Sequence, residues 1–502
     1  MKRPLLIFGG ILAVLAIGWG VLWNAGREQV NARIDAEIAA LRQIGTEVTI
    51  AERAIGGFPL AYELNATDIV VSEGDGQRIY RLPELTARTE LNDSERLVVN
   101  LPETFSLEFL PSEEARAERP DLPEKFELDF ETVAAQVVTT GRPGSARTVE
   151  TTAESFLLVS GDAEAETSFA LELAQFASRA EQPPEITGSP VELTASAALI
   201  DYVARGKSEN GAAMTFEGQI EAVQVNGTSL LRSLDQVQAM LNGRLTQGFD
   251  LNVTSGKNIS RVNTSGGGSG PAGSFTSQAG TSTALISMQD GMLEIRGDTR
   301  ASSFELTSEA EGPFKGGKVD IELMDVVYTL PFVPTPDMQP FAVKLAFVDI
   351  GMDDRIWSAI DPGETLDRAP AQMVIDAEGT MRATKLQSEI VPGEPPPYQV
   401  GNLSLNAIDL KLLGATAEVK GDLEIRQPIN QPIGEFDVRL TNVEPVLQTL
   451  GASGVLPPQA MLVAQIMLKT YTLPGETPEE LVSKIEMTLD GLSVNGQSLG
   501  AP

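Results

Sequence analysis

The chain has 502 residues, 70 of them acidic and 37 basic, for a formal charge of −33, and it contains neither Cys nor His. Those two absences exclude disulfides, thiolate nucleophiles, Ser-His-Asp triads and the commonest metal ligands. The acidic balance, spread along the chain rather than gathered in a tail, reads as solubility and argues against nucleic acid, whose phosphates need a basic surface.

Residues 1–26 read as a cytoplasmic start and membrane anchor. Lys2 and Arg3 precede the uncharged run Pro4 to Gly26, and Leu5 to Trp23 would make about 28 Å of helix, matching a hydrocarbon layer of about 30 Å. The basic start places the N-terminus in the cytoplasm and the rest across the membrane, with Trp19 and Trp23 suited to the far interface. Val14-Leu15-Ala16 also fits a signal-peptide cleavage site, and export follows from either reading. The expected location is the bacterial inner membrane, single pass, with the bulk of the chain in the periplasm.

Residues 27–45 read as a stalk helix, since Val30, Ile34, Ile38, Leu41 and Ile44 recur every three or four positions. From Glu47 the apolar period becomes two, as in Leu60, Tyr62 and Leu64, Leu97, Val99 and Leu101, and Phe105, Leu107 and Phe109. It continues through Phe249, Leu251 and Val253, then Val319, Ile321 and Leu323, and Val343, Leu345 and Phe347. The last third keeps it, ending in Phe436, Val438 and Leu440. Alternation of this kind describes antiparallel strands with one buried face.

Helical signals are few. Leu230, Leu231, Leu234, Val237 and Leu241 form one face behind Thr228 or Ser229 as N-cap, and Val443, Val446, Leu447 and Leu450 form another, closed by Gly451. Thr477-Pro478-Glu479-Glu480 reads as a capping box. The fold class expected is therefore mainly β, with antiparallel curved sheets forming a groove or a sandwich, a few short helices and one N-terminal transmembrane helix. Residues 46–391 are expected to form a β-rich region in which the Gly/Ser-rich segment 264–283 is flexible, as a linker or, given the alternating segments on either side, a hairpin tip. Residues 392–502, after the Pro-rich link Pro392 to Pro397, form a β-rich block continuing the same sheet system.

Motifs with chemical meaning are scarce. Gly268 to Gly273 spells G-x-G-x-x-G with no strand before it and no helix after. Glu73-Gly74-Asp75-Gly76 and Asp353-Asp354 lack calcium-loop spacing and read as a turn and a helix start. Sequons at Asn65, Asn226 and Asn402 carry no functional weight, and Asn495-Gly496 is a hairpin turn. Val225-Asn226-Gly227-Thr228-Ser229-Leu230 and Val494-Asn495-Gly496-Gln497-Ser498-Leu499 share V-N-G-x-S-L, either as a duplication or as recurring turn chemistry. No residue is singled out as catalytic, cofactor-binding or metal-ligating, and no cofactor is expected.

The basic start with its apolar helix, the turn Ile55-Gly56-Gly57-Phe58-Pro59, the block Gly434 to Leu456 and the ending Leu489 to Gly500 resemble the proteobacterial family called domain of unknown function 2125. More distantly, one inner-membrane helix followed by strand-rich sequence resembles the AsmA-like proteins. That resemblance implies long curved sheets with an apolar groove, linked to lipid movement and envelope homeostasis. Three functions follow as expectations: a lipid or apolar-ligand binder, a non-catalytic scaffold contacting envelope proteins, or a hydrolase using paired carboxylates or a Ser-Lys dyad. The chain is not expected to be an enzyme.

Overall fold

In the computed structural model strands make up more than half of the chain, and every paired register is antiparallel. The structure describes residues 23–500 except 33, 37, 40–41, 44–45, 74–76, 112–123, 142–144, 161–167, 184–189, 208–210, 231–247, 266–271, 310–314, 387–396 and 427–430. Two compact units are present, Met1–Gly206 and Lys207–Pro502. The expected membrane segment lies outside the described residues up to Trp23, and among the described residues no helix is long and apolar enough to cross a membrane. Residues 23–32, 34–36, 38–39 and 42–43 are helical, and the remaining positions of the expected stalk helix 27–45 lie outside the described residues.

Unit 1 begins as a meander of β1 (Glu47–Gly56), β2 (Ala61–Glu73) and β3 (Arg78–Glu90). The sheet then splits. Along β3 lie two short strands end to end, β5 (Thr104–Phe109) against Arg78–Arg81 and β4 (Asp93–Asn100) against Thr86–Glu90. Outside them come β6 (Phe126–Val133) on β5 and β7 (Gln136–Thr140) on β4, and both join the long β8 (Arg147–Ser160). Strands β9 (Ser168–Gln182) and β10 (Val191–Lys207) complete the unit.

Unit 2 opens with the same connectivity. The long β11 (Ala213–Ser229) carries β13 (Asn258–Thr264) on its first half and β12 (Phe249–Ser255) on its second. Then β14 (Gly273–Ala279) pairs β13, β15 (Thr281–Gln289) pairs β12, and both join β16 (Met292–Ser308). The chain continues as a meander through β17 (Gly316–Pro331), β18 (Gln339–Met352), β19 (Ala371–Ala383), β20 (Tyr398–Leu412), β21 (Ala415–Arg426) and β22 (Gln431–Thr441). The short β23 (Leu473–Pro474) and β24 (Glu480–Thr488), β25 (Gly491–Val494) and β26 (Gln497–Gly500) finish it. A small core of Met288 and Val333, covered by Phe249, Leu293 and Phe332, sits where β12, β15 and β16 meet the segment after β17.

A row of kinks recurs across these strands. Asp68 in β2, Gln175 in β9, Ala222 in β11, Ala301 in β16 and Asp349 in β18 have φ of 49°, 50°, 49°, 52° and 54°. A left-handed residue inside a strand turns the chain by one position and reverses its in–out alternation. In each case the apolar phase of the sequence changes at the same place. In β2 it runs Tyr62, Leu64 before Asp68 and Ile69, Val71 after; in β18 it runs Val343, Leu345, Phe347 before Asp349 and Ile350, Met352 after. The kink therefore keeps the apolar side chains of one strand on one face.

Several sequence expectations are corrected. Thr228 and Ser229 belong to β11 rather than to a helix cap, and residues 231–247 lie outside the description. The Gly/Ser segment does form a hairpin, with Thr264 opposite Gly273, but its residues 273–279 are strand β14 rather than a flexible tip. The Thr477–Glu480 segment is a turn leading into β24, closed by the Glu480 N–H donating to Thr477 O, because Glu480 is drawn into an ion pair with Arg439. The helix Val443–Ala452 forms where expected, whereas Pro458–Tyr471 forms a helix that alternation did not announce. The repeated hexapeptide takes two conformations. Asn495 and Gly496 form a two-residue turn with φ of 52° and 78°, while Gly227 lies inside β11, where a Cβ would fall 2.0 Å from Asp250 O of β12.

Ala222 is exposed, so its backbone conformation can be tested alone. A left-handed L-residue costs about 1–2 kcal/mol, offset in glycine by about 0.5–1 kcal/mol of chain entropy. Ala222→Gly should raise stability by about 0.5 kcal/mol and Ala222→Val should lower it by about 1 kcal/mol, read as opposite shifts of the urea midpoint. Equal destabilisation by both would show that the kink carries no strain.

Candidate functional site

Residues directly opposite in an antiparallel ladder share a face of the sheet. In unit 1 one such row joins Val48, Val71, Tyr80, Leu107 and Leu128. The adjacent row joins Phe105, Phe130, Leu158, Leu171 and Tyr202, and the next joins Thr132, Phe156, Leu173 and Ile200. The opposite face carries Arg81, Ser106, Glu108, Asp129, Glu131 and Glu172. Binary patterning thus gives this half of unit 1 one broad apolar face and an opposite face on which charged residues are mixed with Val70, Leu157 and Val159.

That apolar face is poorly covered. Of these residues only Leu107 and Thr132 are buried, while Phe126 and Phe169, which extend the face, are 41% and 37% exposed. At its centre the rings of Phe105 and Phe130 stack at 4.6 Å and 4°, and Phe156 meets Phe130 edge-on at 5.6 Å. Each aromatic pair contributes about 0.5–1.5 kcal/mol beyond its buried area. A pocket of about 680 Å³ adjoins it between β2, β3, β5 and β6, where Ile69, Leu82, Phe105 and Phe130 of the apolar face meet Asp68 and, from the opposite face, Arg81, Asp129 and Glu131. A second pocket of about 400 Å³ opens at the seam between the split strands, beside Asn100, Glu103, Thr132, Ala134 and Gln136. Thr132 fixes that seam: its hydroxyl donates to Pro102 O at 2.8 Å and its N–H to Glu103 O at 2.8 Å.

The charged groups are mostly occupied with one another. Arg81 Nε donates to Glu108 at 3.1 Å and Lys125 reaches Glu108 and Glu127 at 3.5 and 3.0 Å. The hydrogen bond from Arg81 holds the Glu108 carboxyl below its ordinary range. In unit 2 Asp361 is buried, which pushes its pKa up, but the N–H groups of Thr365 and Leu366 and the Thr365 hydroxyl outweigh that, and the net shift is downward. Its two oxygens close the loop after the helix Asp354–Ile360, a structural task. Asp353 caps that helix through Ile356 N–H and pairs with Arg355, so Asp353-Asp354 is the helix start that the sequence suggested. Among the described residues no cluster of three acidic ligands could hold a metal.

Of the other flagged positions, Asn65, Asn226 and Asn402 sit within β2, β11 and β20, while residues 74–76 and 268–271 lie outside the description. Sequence reading found Phe105 but passed over Phe130 and Phe156. The alternation Phe126, Leu128, Phe130 was the available signal.

The family model for an uncharacterised protein conserved in bacteria, domain of unknown function 2125, matches residues 23–234 and 270–490. The chain belongs to this family. No curated protein and no solved structure matches it. The family match spans all of the apolar face described above and resumes at residue 270, just before β14.

Glu108 gives this part of the structure a pH signature. Its carboxylate is favoured in the folded state, so the stabilisation is full above the ordinary glutamate pKa of about 4.3 and is lost as pH falls through the lower folded value. Glu108→Gln should cost up to about 1 kcal/mol at pH 7, with the gap from wild type narrowing at pH 3 in urea titrations. A gap that does not change with pH would assign the cost to packing instead.

Proposed function

We propose that this family member is held in the bacterial inner membrane by one N-terminal helix and carries its sheets in the periplasm. There the apolar face of unit 1 holds an acyl chain or a similar apolar ligand, in the service of envelope homeostasis. The observation that carries the reading is the incompletely covered apolar face around Phe105, Phe130 and Phe156, which are partly buried and are flanked by the exposed Phe126 and Phe169. A closed sandwich would bury these side chains, and contiguous apolar surface left open in a soluble domain marks a binding region. The adjoining pocket of about 680 Å³ falls in the usual range for small-ligand sites. The anchor is supported by the uncharged run Pro4 to Gly26 behind Lys2 and Arg3.

A photoreactive acyl lipid offered to the detergent-solubilised full chain should cross-link at up to one per chain within β5, β6 and β8. Phe130→Asp should reduce that labelling about tenfold, given about 1.4 kcal/mol per decade of affinity, with the far-ultraviolet circular dichroism unchanged. Labelling confined to residues 1–26 would overturn the binding role.

A further inference from the structure

The turn between β1 and β2 is apolar at its tip, with Phe58 and Leu60 53% and 66% exposed. Leu91, in the turn between β3 and β4, is 37% exposed and donates its N–H to Leu60 O at 2.9 Å, so three large apolar side chains share one end of unit 1. That end is fastened to Trp23, the last residue of the apolar run Leu5 to Trp23. The indole N–H of Trp23 donates to Ala61 O at 3.1 Å and the Tyr62 hydroxyl to Trp23 O at 3.4 Å. The Trp23 ring stacks on Tyr62 at 5.7 Å and meets Phe58 edge-on at 5.5 Å, with the Arg27 guanidinium 5.9 Å from its centroid. Gly26 permits this approach, since a Cβ there would fall 1.8 Å from the Tyr62 hydroxyl.

We propose that Phe58, Leu60 and Leu91 insert into the interfacial layer of the bilayer beside the anchor, forming a second foothold with Trp23, Tyr62 and Arg27 at headgroup level. The inference rests on the membrane anchor proposed above and on where the apolar run ends. A helix that leaves the hydrocarbon at Trp23 brings whatever is bonded to Trp23 to the same depth. Trp and Tyr favour that depth, and an arginine there meets lipid phosphate. Exposed Phe and Leu at the same level gain by burial among acyl chains what they lose in water. A membrane surface is the occupant favoured over a protein because the patch is contiguous with the anchor itself.

The absence of cysteine allows a single-site test. Leu60→Cys in the full chain, labelled with an environment-sensitive fluorophore and reconstituted in phosphatidylethanolamine–phosphatidylglycerol vesicles, should be blue-shifted and quenched at least threefold more by shallow spin-labelled lipid than Gln77→Cys. Gln77 lies at the other end of the β2–β3 pair, about 40 Å away at about 3.3 Å per residue. Chains that float with vesicles but report water at both positions would overturn the foothold and leave the anchor standing. Chains that do not float would overturn both. Protection of residue 60 from a soluble quencher that persists in detergent at high protein concentration and vanishes on dilution would assign the patch to a second copy instead.

Discussion

The structure depends on one constraint: each strand has a single apolar side, and few helices are available to cover it. In an α/β protein a wrongly facing residue can be absorbed by a helical layer. Here the apolar sides of neighbouring strands must agree with one another over long strands, or the sheet presents mixed faces to water. The left-handed residues meet that demand. At Asp68, Gln175, Ala222, Ala301 and Asp349 the chain takes on local backbone strain of about 1–2 kcal/mol each, and in return the phase of alternation can change without moving apolar groups to the other side. That the sequence phase and the backbone change at the same residues, in both units, is the strongest sign that the kinks belong to the fold.

This also explains what could be read from the sequence. Period-two patterning located β2, β5, β12, β17, β18 and β22, because antiparallel strands with one covered side write their geometry directly into the residue order. The partnerships did not show in the same way. Nothing in Phe105 or Phe156 taken alone tells that two end-to-end pairs of short strands fit between β3 and β8, since that is decided by register over more than 70 residues of chain. The helix Pro458–Tyr471 escaped notice although Leu462, Val463, Ile466 and Met467 lie along one side of it, all of them more than half exposed. Conversely, Thr477 to Glu480 carried the letters of a cap and became a turn, because tertiary pairing of Glu480 with Arg439 outranks a local preference.

The site was legible only in kind. A chain without Cys and His points away from the best-known catalytic groups, and among the described residues the carboxyls with displaced titration, Glu108, Asp353 and Asp361, are all displaced downward. A general acid needs the opposite shift; these groups serve as ion pair, cap and loop closure. What remained was an apolar face, and its aromatic centre became visible only once β5, β6 and β8 were placed side by side.

The shared connectivity of β3–β8 and β11–β16 bears on how such a face can grow. A long strand followed by two pairs of half-strands and a second long strand gives a sheet a seam across its middle, where Pro102 and Ala134 interrupt the ladder in unit 1 and Gly256 and Gly280 do so in unit 2. Half-strands on either side of a seam can twist separately, whereas a single strand of twice the length accumulates twist along its whole run. The seam thus lets long strands lie together while the apolar side stays turned one way. In unit 1 the face reaches from Tyr62 and Leu64, beside Trp23, across the kink at Asp68 to Val71 and the phenylalanine cluster. Tyr62 and Leu64 at one end and Val71 at the other are partly exposed, whereas Ala66 and Ile69 beside the kink are buried. A chain of charge −33 gains no net attraction from an anionic surface, so any ligand such a face held would be held by apolar contact.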